Sequence, residues 1–473
     1  MDRLSLLDAS FIDVEDGDRH ASMAIALIAV FEGPAPSYEQ FLAFLAGRLP
    51  LVPRYRQKLR QVPFRLGAPV WVDDPQFDLR YHLRQTALPE PGGDQQLSTL
   101  IARVMGQRLD RDYPLWEYWL VTGLAADRWA VITKVHHCMV DGVSGTDMYR
   151  VIFDASPEPS PPAVDDLVMS PEPSDLTLAA QALLEALLIP VREYAALREA
   201  LSKPGHLAAQ AADTVRALAK LAASAHQATD SSLIGPIGQQ RRYTVARASL
   251  SDVKTIKREL GGTVNDVVLA AISSGFRALL RTRGEQPGPF TVPTMVPVSV
   301  RGKGEESSYG NRVSSLLADL PVDIADPVER LDLIRTQLSD LKAAKAATVG
   351  ENLVSLGRYT PFPVASLAVR LGSRLPQHEI ATVTTNIPGP RQPLYCSGRQ
   401  LVEMIPYVPI SATVRTVVSI FSYCDNLCFG ITGDYETTPD LDVLARGIEN
   451  GVAELKAAAW RRDVASRNGQ DPA

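Results

Sequence analysis

The run Lys134-Val135-His136-His137-Cys138-Met139-Val140-Asp141-Gly142-Val143-Ser144-Gly145 closes the strand-like stretch RWAVITKV and carries the pattern HHxxxDG. Histidine is scarce here, 7 in 473 residues, so two adjacent copies followed at fixed spacing by Asp-Gly form a specific signal. Neighbouring side chains on a strand point to opposite faces, so only one of His136 and His137 can enter a given cavity. The pair therefore implies two different roles. Imidazole, with a pKa of ~6.5, can take up a proton and give it back near neutral pH. That suits acyl transfer from a thioester to a hydroxyl, in which the hydroxyl loses a proton and the departing thiolate gains one. Asp141, where the strand gives way, can accept backbone N–H groups or pair with an arginine, and is expected to hold the loop. Gly142 permits a turn that a side chain would hinder. His20, His82, His206, His226 and His378 stand outside this pattern and read as ordinary core or surface residues. No GxSxG elbow is present, and Gly142-Val143-Ser144-Gly145 does not have its spacing, so a serine acyl-enzyme is not expected.

Outward from this run the periodicity is that of an α/β chain. SMAIALIAVF reads as a buried strand and SYEQFLAFLAGRL as an amphipathic helix, which gives an α/β unit over residues 1–160. Residues 155–175 contain prolines too often for ladder or helix and read as an extended linker. An alanine- and leucine-rich stretch follows to residue 227, broken at Pro190 and Pro204, and reads as bridging helices. Its stripe Leu183, Leu187 and Leu188 could pack inward or rest on a bilayer, and packing is expected because its polar side mixes acids with bases. A second α/β unit spans residues 235–462: VARASLS as a strand, SDVKTIKREL as a helix capped by Ser251, NDVVLAAISSGFRALLRTR as a helix, and FTVPTMVPVSV as a strand. IATVTTNIP, TVVSIFSYC and LCFGITGDY read as further strands and Asp440 to about Trp460 as a last helix, with 463–473 a disordered tail.

Composition bounds the function. With 48 basic against 54 acidic residues the net charge is -6, which disfavours a nucleic-acid partner. The four cysteines, Cys138, Cys396, Cys424 and Cys428, are too few and scattered for a disulfide framework and fit a reducing compartment. No metal or redox cofactor is called for. The first residues carry acids where a signal peptide needs bases, so export by that route is not expected. The longest early apolar stretch, Met23 to Phe31, falls far short of the about 20 residues of a membrane span. Any membrane contact is expected to be peripheral.

HHxxxDG resembles the signature of CoA-dependent acyltransferases. LDASFIDVED at the start, PLWE at Pro114 to Glu117, NDVVLAA from Asn265, VPVSVR ending at Arg301, GNRVS at Gly310 to Ser314 and TNIPGPRQPLY at Thr385 to Tyr395 narrow the likeness. They resemble the bacterial wax ester synthase/diacylglycerol acyltransferase family almost end to end, and its mycobacterial triacylglycerol synthases most. The resemblance implies two chloramphenicol acetyltransferase-like α/β domains, a helical linker and a tunnel at their interface. It further implies acyl-CoA as donor substrate, diacylglycerol or a long-chain alcohol as acceptor, and a cytoplasmic protein peripheral to the inner face of the plasma membrane or lipid droplets. His137 is then the base and His136 supports it. Asn265 and Asp266 match the family's ND pair, so Asn265 either donates a hydrogen bond near the reacting carbonyl and shapes the tunnel or simply caps its helix. Arg301 is the candidate partner for Asp141. Trp116 is expected to be core. Pro388-Gly389-Pro390 suits a loop over the tunnel and an ordinary turn equally. Arg54, Arg56, Lys58 and Arg60 could meet CoA phosphates, although a solvated face is the expected reading.

Overall fold

The computed structural model describes residues 2–140, 149, 152–166, 168–184, 231–288, 292–299, 313–348 and 380–467. Its strands are β1 (Asp2–Arg3), β2 (Ala24–Glu32), β3 (Gln57–Arg60), β4 (Val70–Asp73), β5 (Leu83–Ala87), β6 (Trp116–Leu124), β7 (Arg128–His136), β8 (Arg241–Ser249), β9 (Pro293–Ser299), β10 (Val313–Asp319), β11 (Thr382–Ile387), β12 (Tyr395–Cys396), β13 (Arg399–Tyr407), β14 (Thr416–Tyr423) and β15 (Asn426–Asp434). The helices are α1 (Leu6–Gly17), α2 (Tyr38–Arg48), α3 (Leu79–His82), α4 (Asp94–Met105), α5 (Asp175–Leu184), α6 (Leu250–Leu260), α7 (Val264–Thr282), α8 (Pro327–Thr348) and α9 (Leu441–Arg467).

Two mixed six-stranded sheets organise the molecule, in the orders β12-β13-β2-β7-β6-β5 and β10-β9-β11-β14-β15-β8. The strands read from periodicity all appear, because alternating or continuous apolar runs bury one or both faces. The division at residues 160 and 235 does not separate the sheets. β12 and β13 come from late in the chain yet extend the first sheet, with β13 antiparallel to β2. A strand leaving the second half thus pairs with the first, which no local pattern could signal. The last helix also runs on to Arg467, past the boundary at 462, with Trp460 exposed on its surface.

Each half has its own core. Phe31, Phe41, Trp116 and Trp129 fill the first, and Trp116, 1% exposed, is core as its sequence context implied. In the second, α7 lies against α9 so closely that a Cβ on Gly447 would stand 2.7 Å from Cα of Gly275. Only glycines allow that approach. Two caps differ from expectation. Ser249, not Ser251, accepts the Asp252 amide at the start of α6, while Ser251 is turned to Asp425. Thr263, not Asn265, caps α7.

The Pro-rich linker is strapped to the first half. Arg48 forms a buried pair with Asp154 and donates to the carbonyls of Ser160 and Pro161. Arg56 then makes a two-pronged contact with Asp165 at 2.9 and 2.7 Å, Lys58 lies 3.6 Å from Glu172, and Arg60 meets Glu172 and Asp175 at 3.2 and 2.8 Å. Arg54 pairs with Asp2 and stacks on Trp71. The basic run is therefore a partly exposed face whose charges are paired with acids rather than left open to phosphates. Lys58 and Arg60, two apart on β3, share one side of that strand, and with Arg56 just before it they meet the linker's acids in order. The strap ends in α5, where Leu178 and Ala182 bury against Val62, Val70 and Val72. Leu183 of the questioned stripe is half exposed at 51%, and Leu187 and Leu188 lie outside the described residues.

Candidate active site

β7 delivers the two histidines in different settings. His136 is the last residue of the strand, opposite Ala24 of β2, and is 1% exposed. His137 begins a single 3-10 turn that ends at Met139. The Nδ1 of His136 accepts the Cys138 amide at 3.2 Å, so the first histidine caps the turn that carries the second. An accepting Nδ1 places the ring proton on Nε2. That atom lies 3.4 Å from Oε1 of Glu15.

Glu15, from α1, is buried and central. Its Oε1 accepts the Met23 amide at 2.6 Å, and the carbonyl of Met23 accepts the His137 amide at 3.0 Å. Its Oε2 accepts from Arg111 at 2.9 Å, and Arg111 also reaches Asp16 at 2.6 Å. Burial works to raise the Glu15 carboxyl, but His136, Arg111 and the Met23 amide outweigh it and hold it at about 2. One turn earlier on α1, Phe11 stacks on the His137 ring with centroids 4.0 Å apart. Burial, reinforced by the neighbouring His136, pulls the His137 imidazole down to about 4. It is thus neutral at physiological pH and carries a free lone pair. Its buried Nδ1 has no hydrogen-bond partner among the described residues.

Lys134, two residues before the pair, donates to the carbonyls of Val104 and Gln107 at 3.0 and 2.8 Å. It closes the C-terminal end of α4, where a cation is favourable, although burial draws its ammonium down to about 8.

The ND pair, Asn265 and Asp266, opens α7. Asp266 spends its carboxylate on the helix's own start, accepting the Thr263 amide at 2.7 Å while Thr263 accepts its amide at 3.2 Å. Asn265 does not cap. Its Oδ1 accepts from the side chain of Asn386, at 3.5 Å, near the end of β11. The Pro388-Gly389-Pro390 corner that follows is anchored to β14, with the Gly389 amide on the Ser422 hydroxyl at 3.1 Å and the Pro390 carbonyl on the Cys424 amide at 2.9 Å. Tyr149, past the histidine run, meets Phe421 of β14 edge-on at 5.9 Å and so joins the halves.

Asp141, Gly142 and Arg301 lie outside the described residues. The described residues bring His136 and His137 together with Glu15, Phe11, Met23 and Arg111, none of which was singled out from sequence. The signal was there in part: Asp8, Ile12 and Glu15 follow the buried stripe of α1, and a carboxylate in such a stripe needs a partner. A groove of about 930 Å³ runs between α4, β8 and the start of α9, and His137 does not line it. Among the described residues no three of His, Cys, Asp and Glu converge as a metal site.

Comparison with known proteins gives a consistent answer. Residues 4–268 match the model of the wax ester synthase/diacylglycerol acyltransferase catalytic domain, and residues 309–456 the WS/DGAT C-terminal domain. A Mycobacterium tuberculosis H37Rv protein named probable diacylglycerol O-acyltransferase tgs1 is 42% identical over 469 residues, 99% of both chains. The solved wax ester synthase/diacylglycerol acyltransferase of Marinobacter aquaeolei VT8 superposes with a TM-score of 0.68 at 27% identity, covering 97% of this chain and all of that one. A condensation domain of the CDA synthetase, 16% identical with a TM-score of 0.55 over 96% of this chain and 95% of that one, shares the fold. The chain belongs to the wax ester synthase/diacylglycerol acyltransferase family and is an acyl-CoA-dependent acyltransferase.

Proposed function

We propose that the protein makes triacylglycerol by moving a long-chain acyl group from acyl-CoA to diacylglycerol, with His137 as general base. The observation that carries the reading of the acceptor is the full-length likeness to the protein named diacylglycerol O-acyltransferase. For the base it is the neutral, Phe11-stacked imidazole at the head of its own turn. The diacylglycerol hydroxyl attacks the thioester carbonyl carbon while His137 takes its proton. The tetrahedral intermediate then collapses, the C–S bond breaks, and the CoA thiolate leaves with that proton. His136 positions the turn. Asp141 holds the following loop with Arg301 as its partner, and Gly142 gives that loop its bend. Asn265, with Oδ1 taken by Asn386, keeps its amide N–H groups to donate toward the reacting carbonyl oxygen or to line the substrate path.

A wax ester synthase differs only in accepting a long-chain alcohol, and the Marinobacter protein's name couples both activities. A carrier-protein donor is less supported, since the condensation domain shares the fold alone.

No single described helix is long and apolar enough to cross a membrane. The water-insoluble acceptor supports a peripheral protein on the inner membrane face or a lipid droplet, with Phe64, Leu176, Leu183 and Leu184 as contacts. These side chains are 93%, 83%, 51% and 58% exposed, and Gly67 against Ala182 joins the Phe64 loop to α5.

Thiol release from palmitoyl-CoA with diacylglycerol, hexadecanol or no acceptor tests the proposal, in wild type and His137→Ala. Release that requires diacylglycerol and vanishes in the variant is expected. Dependence on hexadecanol alone makes the protein a wax ester synthase, and unchanged turnover in the variant removes His137 as the base.

A further inference from the structure

We infer that Glu15 is a positioning residue for catalysis, bracing the turn of His137 through one hydrogen-bonded arm and one electrostatic contact with His136, and that Arg111 holds Glu15 in place. The inference rests on the reading of His137 as general base. One arm runs from Glu15 Oε1 to the Met23 amide at 2.6 Å and from the Met23 carbonyl to the His137 amide at 3.0 Å. The other runs from the same oxygen to the Nε2 of His136 at 3.4 Å and from its Nδ1 to the Cys138 amide at 3.2 Å. Both arms end on the first two residues of the turn, so one carboxylate oxygen governs the backbone on which the base sits.

The second arm works only in one tautomer. Nδ1 must be bare to accept from Cys138, so the ring proton must sit on Nε2, and a carboxylate facing Nε2 favours that form. Glu15 is itself 2% exposed and would not keep its orientation or charge there alone. Arg111 takes its other oxygen and reaches on to the Ile12 carbonyl at 3.4 Å, tying the carboxylate to the helix that carries it. Because Phe11 lies one turn away on the same face of α1, the helix that fixes the backbone of His137 also supports its ring.

Misplacing a catalytic group by about 1 Å can cost about a hundredfold in rate. Glu15→Ala in the full chain is therefore expected to lower kcat by about ten- to a hundredfold while KM for palmitoyl-CoA stays within about twofold. Nitrogen-15 spectra of the histidine rings should show His136 protonated on Nε2 in the wild type and mixed in the variant. Glu15→Gln keeps an acceptor for both N–H groups, so it should retain the Nε2–H form and most of kcat. Full kcat in Glu15→Ala with His137→Ala inactive overturns the brace and leaves the base standing, whereas an active His137→Ala overturns the base itself. If Glu15→Ala does not fold, Glu15→Gln decides: full rate with the His136 proton on Nδ1 shows that the tautomer is not needed and overturns the inference.

Discussion

The Nδ1 of His136 accepts the main-chain N–H of Cys138 at 3.2 Å, which closes the turn that begins at His137. A side chain that satisfies an N–H at the head of a turn acts as an N-cap, and losing such a cap costs about 1 kcal/mol. His136→Ala also leaves a buried void. Asparagine is a good cap and can offer its side-chain oxygen to the same amide. His136→Asn is thus expected to keep more kcat than His136→Ala, in the thiol-release assay, with His137 intact in both. Equal loss in the two variants would mean that His136 does more than cap.

The low proton affinity of His137 sets the pH profile. Its imidazole titrates at about 4 because burial and His136 both penalise the charged form. A general base must be unprotonated, so kcat/KM should stay level from about pH 7 down to about pH 5 and fall only as the pH passes through about 4. Stability has two windows with the same sign. The folded His137 binds its proton less well than the unfolded chain does, so stability falls as pH drops from about 6.5 to about 4. The Glu15 contribution, on the order of 3 kcal/mol for a carboxyl held at about 2 instead of 4.5, is present above about pH 4.5 and lost as pH falls through about 2. Denaturant titrations at several pH values check this: His137→Gln should flatten the upper window and leave the lower one.

Much of the fold is legible because local period and burial agree. SMAIALIAVF and RWAVITKVHH each read as a strand, and they are β2 and β7, paired side by side. NDVVLAAISSGFRALLRTR reads as a helix because its apolar stripe has the helical period, and it is α7. β13 is different: RQLVEMIPY mixes polar residues with a proline, and its partner β2 lies hundreds of residues earlier in the chain. Which sheet a strand joins is decided by tertiary packing. HHxxxDG points directly at His136 and His137, whereas in the sequence Glu15 is one acid among several in an acidic N-terminal stretch. Only its contact with Met23, His136 and Arg111 distinguishes it, and that contact is nonlocal.

Phe64, Leu176, Leu183 and Leu184 should govern attachment to lipid. Fully burying a large apolar side chain contributes about 1.5–3 kcal/mol. Phe64→Ser with Leu183→Ser is then expected to weaken co-sedimentation with diacylglycerol-containing vesicles at least about tenfold, without a change in Tm. The nearby arginines are paired with acids, so binding should vary little with salt. Strong salt dependence would point instead to a basic contact with anionic lipid.

The strap from Arg56 to Asp175 should be held weakly but in register. Its ion pairs are partly exposed, for example 37% and 70% for Arg60 and Asp175, and such pairs contribute about 0–1 kcal/mol each. Arg56→Ala with Arg60→Ala is expected to leave global stability within about 2 kcal/mol while opening residues 155–175 to limited proteolysis. Mass spectrometry of the first cleavage products locates the cut, and 1 M salt should reproduce it in the wild type.

Gly430 of β15 lies where the two sheets meet. Directly opposite, Pro406 of β13 turns its carbonyl into the junction, where it accepts from the Tyr243 hydroxyl at 2.5 Å and the Ser419 hydroxyl at 3.2 Å. A Cβ on Gly430 would stand 1.8 Å from that carbonyl oxygen and 2.5 Å from the tyrosine oxygen. Backbone on one side and a buried ring on the other leave no flexible atom to move aside. Gly430→Ala must therefore push β13 from β15 or break the Tyr243 bond. Overpacking of this kind costs about 1–3 kcal/mol, and an unpaired buried hydroxyl adds about 1–3 kcal/mol. A loss of more than about 2 kcal/mol in equilibrium unfolding is expected, and Gly430→Ala with Tyr243→Phe should lose less than the sum of the two single changes, because both act on the Pro406 carbonyl. Additive losses would mean that the sheets separate without disturbing that bond.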